Sequence, residues 1–76
     1  MSALSETVLW IATRYLGPAA KVFLQRQCTA HLGGAKFDDL RPEQLPEMAK
    51  WVELSAGLII EKDRAKVLGE AIRSSA

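Results

Sequence analysis

Cysteine and histidine each occur once in the 76 residues, as Cys28 and His31. A single thiol excludes an internal disulfide framework and suits a reducing compartment, so the chain is expected in the cytoplasm. One thiol and one imidazole also fall short of the four protein ligands of a structural zinc site, or the three of a catalytic one. An excess of one charge is lacking too: ten basic residues face nine acidic ones, leaving a formal charge of +1. Nucleic-acid binders usually carry a clustered basic excess, and this balance gives no such footprint. No apolar run approaches the ~20 residues that span a bilayer, and Met1-Ser2-Ala3-Leu4-Ser5-Glu6 lacks the basic stretch that precedes a signal-peptide core. No segment alternates with period two for long enough to make a strand, and there is no repeat or low-complexity tract.

What is present is apolar surface at helical spacing. Nearly half the chain is hydrophobic, which is enough to fold. The length bounds it to one domain over residues 1–76, either whole or part of a longer chain. Leu4, Val8, Ile11 and Tyr15 recur at steps of three and four, with Leu9, Ala12 and Leu16 beside them. This predicts a first helix over residues 4–16, capped by Ser2 or Ser5. Gly17-Pro18 interrupts, as a kink or a full turn, and a second helix is expected over 18–32. Its inner side reads Ala19, Ala20, Phe23, Leu24, Gln27, Cys28 and His31, and Gly33-Gly34 closes it. Residues 35–41 read as a loop anchored by Phe37 and Leu40. A single turn at Pro42-Glu43-Gln44-Leu45 follows, and Pro46 opens a third helix with Met48, Val52, Ser55, Ala56 and Ile59 on one face. Gly57 inside that helix suggests close helix–helix approach, since glycine there costs roughly 1 kcal/mol relative to alanine. After a turn near 60–62, Ala65, Leu68, Ala71 and Ile72 face inward from a fourth helix. The fold class is therefore all-α, a compact bundle of four main helices plus one short helical turn. Its expected core is Val8, Ile11, Leu16, Phe23, Leu24, Leu45, Met48, Val52, Ile59, Leu68 and Ile72.

Leu16-Gly17-Pro18-Ala19-Ala20-Lys21-Val22, with Arg26 further along the helix, resembles a small helical domain of undefined role appended to bacterial serine/threonine kinases and other signalling proteins. In that family a Leu-Gly-Pro-Ile-Ala-like segment joins two helices. The likeness covers about a third of the chain, and elsewhere is limited to helical patterning. It implies an accessory or regulatory module, usually at the end of a longer chain, and carries no catalytic residues. The central loop here is longer, and no kinase or sensor domain accompanies it.

The residues able to carry chemistry do not assemble into a reactive constellation. Cys28 and His31 share a helix face, as a nucleophile and its base would, but no third orienting group follows, and a buried thiol beside a helix-closing histidine is the simpler reading. Asp38-Asp39 lacks the alternating oxygen register of a calcium loop, so one aspartate is expected to support the turn at 42–45. Gly33-Gly34 precedes Ala-Lys, not the Gly-Lys-Ser/Thr of a phosphate-binding loop. The Asp-Ser-Leu attachment segment of acyl carriers is absent. No enzyme activity, catalytic residue, metal or cofactor is expected.

The two tryptophans carry more information. Trp51, beside Met48 and Val52, reads as core. Trp10 lies off the main stripe of the first helix beside Arg14, where it joins Leu9, Tyr15 or Val22 in an exposed patch of the kind that marks interfaces. The function expected is a protein–protein interaction module, regulatory or assembling. It buries an apolar face of the first two helices, with Trp10, Arg14, Lys21 and Arg26 at the rim. The partner is another protein or a second copy, since a helical dimer accounts for apolar residues on more than one side. The alternative is a nucleic-acid-binding domain using Lys21 and Arg26, or Lys62, Arg64, Lys66 and Arg73. Against it, Glu61, Asp63 and Glu70 interleave with the last group as on a solvated face.

Overall fold

In the computed structural model, which describes all 76 residues, the chain is entirely helical, without strands. Helix α1 spans Ala3–Leu16, α2 Ala20–His31, α3 Leu45–Ala56 and α4 Lys62–Arg73. Short 3-10 turns occupy Gly17–Ala19, Phe37–Asp39 and Pro42–Gln44. The expected count of four separate helices and one turn is corrected by the way these join. The turn at Gly17–Ala19 leaves no break, so residues 3–31 form one bent helical course. The Pro42 turn likewise runs directly into α3, and with α4 the chain makes three continuous helical stretches.

Local chemistry explains the boundaries. The Ser2 hydroxyl accepts from the Ser5 N–H at 3.1 Å, capping α1, while Glu6 and Arg14 suit the dipole at its two ends. Gly17 adopts φ +62°, open to glycine at no steric cost, and its N–H bonds Thr13 O; the chain then bends at Pro18, which needs no donor there. Helix α2 therefore starts two residues later than Pro18 suggests. Gly33 and Gly34 both have positive φ and turn the chain away from α2. In α3, Pro46 sits in the first turn.

Val8, Ala12, Leu24, Cys28, Phe37, Leu40, Leu45, Met48, Val52, Leu68 and Ile72 are buried in one cluster, with alanines at 20, 49, 56 and 65 letting helices approach. Seven of the eleven expected core residues are among these. Ile11, Leu16 and Phe23 are only half-buried and pack at its edge. Ile59 is 67% exposed, because α3 ends at Ala56 and the helical register extrapolated from Val52 no longer applies beyond it. The N–H groups of Gly57, Leu58, Ile59 and Ile60 bond back to Glu53, Ser55 and Ala56 carbonyls, and of the three apolar residues only Ile60 packs on the core.

Gly57 is likewise outside α3, and a Cβ there would chiefly meet carbonyls of the preceding turn, Glu53 O at 3.3 Å and Leu54 O at 3.6 Å, with the Lys62 side chain of α4 in ordinary contact at 3.8 Å. The close approach belongs to Gly69: a Cβ there would come within 3.1 Å of Glu53 Cβ and 3.2 Å of Ala49 O. Buried polar groups bridge elements. Gln27, 8% exposed, accepts from the Ser55 hydroxyl at 2.9 Å, linking α2 to α3. Gln25 holds the 35–37 loop through Ala35 O (3.1 Å) and the Phe37 N–H (2.8 Å). Ser2 N–H donates to Asp38 O at 2.9 Å, fastening the start of α1 to the Phe37–Asp39 turn. The Pro42 turn is supported by Gln44, whose side chain accepts the Arg41 N–H at 2.9 Å; neither aspartate does this.

Candidate functional site

Among the Phe, Tyr and Trp rings the most exposed is that of Trp10, 65% accessible on the outer side of α1. Its position follows from the stripe: Val8 and Ala12 face the core, so the residue midway between them in the chain points outward. Arg14, one helical turn on, holds its guanidinium 5.1 Å from the indole centroid, a cation–π contact that braces both side chains. Met1, Glu6, Leu9, Trp10, Thr13 and Arg14 line an open concavity of about 450 Å³. It offers an apolar floor with one carboxylate and one guanidinium at its edges.

Of the four expected partner-binding residues, the structure brings Trp10 and Arg14 together. Lys21 and Arg26 do not line this concavity. Lys21 forms an ion pair with Asp38 at 3.8 Å, and Arg26 is exposed on α2. Nor does the apolar face extend across α2 as expected. Val22 is exposed but lies outside the concavity, and Tyr15 is half-buried beneath Arg64, whose guanidinium sits 5.2 Å from its ring.

Trp51 is a half-buried ring at the edge of α3 rather than core. Its indole N–H donates to Glu47 Oε2 at 3.0 Å, and His31 stacks on it with centroids 3.7 Å apart and planes 4° apart. That stack ties the end of α2 to α3 and directs His31 onto an aromatic ring rather than onto Cys28. Cys28 itself is buried, and desolvation pushes its thiol up to about 11, away from the thiolate that nucleophilic chemistry and metal binding use. No three His, Cys, Asp or Glu residues cluster where a metal ion could be held.

A second apolar surface escaped the periodicity. Leu54, Leu58 and Ile59 are exposed at the end of α3 and in the turn beyond it. The sequence signal was Leu58-Ile59-Ile60 itself, three consecutive apolar residues of which a helix end cannot bury all.

No helix is long and apolar enough to cross a membrane. No family model, curated protein or solved structure matches this chain.

Proposed function

We propose that the chain is a non-catalytic protein–protein interaction module, regulatory or assembling, that docks another protein through the Trp10 surface of α1. One observation carries the reading: a tryptophan 65% exposed and braced by Arg14 over an apolar concavity. Tryptophan and arginine are the residues most enriched at binding hot spots, and a ring already held by its neighbour loses little freedom on docking. The partner's chemistry follows from the walls. An amphipathic segment would insert an apolar side chain beside Trp10 and Leu9, and place a carboxylate near Arg14. Such a role agrees with the resemblance of the Leu16–Val22 segment to accessory domains of bacterial signalling proteins, and with a cytoplasmic setting.

The test is an array of amphipathic peptides carrying Leu or Phe with Asp or Glu, probed with the purified protein. Peptides bound by the wild type and lost with both Trp10→Ala and Arg14→Glu support the assignment. Binding indifferent to Trp10→Ala overturns it. So does tight binding to random duplex DNA that falls steeply with salt, which would favour the basic residues of α2 or α4 as a nucleic-acid surface.

A further inference from the structure

Leu58 is the most exposed large hydrophobic residue of the molecule, at 88%, and Ile59 follows it in the turn between α3 and α4. Leu54 and Leu58 line an open groove of about 350 Å³ together with Glu53, Gly57 and Lys62. None of these residues belongs to the Trp10 concavity. The groove holds one carboxylate and one ammonium, yet neither is paired. The molecule's two ion pairs are Lys21–Asp38 and Arg41–Glu43. Gly57 lines the groove without a side chain to fill it.

We propose that this groove is a self-association surface, taking a second copy of the chain in a two-fold symmetric dimer. In such an interface the same patch serves both partners, and residue i meets j wherever j meets i. A surface suited to that must carry both halves of each pairing, and this one holds a carboxylate and an ammonium beside two leucines. Two rotated copies would set Glu53 against Lys62 of the partner subunit, twice, around a centre made by Leu54 and Leu58 of both. An apolar centre within a charged rim is the usual anatomy of an interface. The net charge of +1 leaves little repulsion between copies. An anionic membrane fits less well, since Glu53 lines the groove and Glu61 and Asp63 offset Lys62 and Arg64 in the turn that follows. This inference stands on residues separate from those of the Trp10 reading.

Sedimentation equilibrium from micromolar to millimolar concentration tests it. The wild type should move from 8.4 kDa towards twice that mass. Leu58→Asp should remain at the single-chain mass with unchanged helical circular dichroism, because so exposed a side chain contributes little to the fold. Glu53→Lys and Lys62→Glu should each weaken dimerisation by about tenfold or more, and the two variants mixed should recover it as a heterodimer. Should Glu53→Lys fail to fold, because Glu53 packs over Gly69, Leu58→Asp and Lys62→Glu decide the matter. A wild type at single-chain mass throughout overturns the proposal, as does undiminished dimerisation of Leu58→Asp. Leu58-dependent binding to phosphatidylserine vesicles by a protein that never dimerises also overturns it. Trp10→Ala should leave the dimer intact, so failure here and failure of the docking reading remain distinguishable.

Discussion

Single residues divide by what surrounds them. Trp10 and Phe37 are both large aromatics, but Phe37 is 1% exposed and Trp10 faces solvent. Phe37→Ala should therefore cost about 3–5 kcal/mol of folding stability, whereas Trp10→Ala should stay within about 0.5 kcal/mol of wild type in urea unfolding. Phe23, expected as core, is half-buried and should fall between them. Ser55→Ala leaves the Gln27 carbonyl oxygen without its donor in a buried setting and should cost about 1–3 kcal/mol, measured the same way. Cys28 makes a pH-dependent contribution. Its thiol rises from 9.0 to about 11 on burial. Below pH 9.0 it is protonated in folded and unfolded chains alike, and its contribution to stability is whole. As pH climbs from 9.0 towards about 11, the unfolded chain releases a proton that the folded chain keeps, and stability falls. Urea midpoints across that window should drop more steeply for the wild type than for Cys28→Ala; parallel curves would mean that the thiol does not feel its burial.

Among elements, the α3–α4 pair makes the most extensive contact, and Gly69 sets its spacing. Gly69→Ala gains about 1 kcal/mol of helix propensity but forces a methyl against Ala49 O and Glu53 Cβ, with an overpacking cost of about 1–3 kcal/mol. A lower melting temperature is expected. Gly57→Ala, whose nearest obstacle is a carbonyl of its own chain at 3.3 Å, should change stability less. This contrast reverses what the sequence suggested, and the reason is physical. Periodicity reports which side of a helix is greasy, not where the helix stops. The stripes Val8–Ala12, Leu24–Cys28, Met48–Val52 and Leu68–Ile72 were legible because each repeats at three or four residues. The end of α3 was not: its stripe, continued three residues past Ala56, puts Ile59 inside and Gly57 in a helix. Gln25 and Gln27 were equally hidden, since their partners lie ten and twenty-eight residues away in the chain. Trp10 was legible as an outward residue beside Arg14, whereas the separation of Lys21 and Arg26 from it depended on the bend at Gly17–Ala19.

At the scale of the molecule, 76 residues fold into a body with a Cα radius of gyration of 10.7 Å, near the roughly 11 Å of a compact chain this long. A domain so small buries only about 60% of its unfolded surface, so whatever covers its exposed apolar residues adds noticeably to its stability. If the groove at Leu54 and Leu58 takes a second copy, the melting temperature should rise with protein concentration, and Leu58→Asp should abolish that dependence. The His31–Trp51 stack has an optical corollary. A protonated imidazole pressed against an indole accepts an electron from its excited state, so whenever His31 is charged, emission from the native protein should come chiefly from Trp10. The ring at the docking surface would then act as its own dye, shifting to the blue when a ligand covers it, while Trp51 brightens only when α2 and α3 come apart.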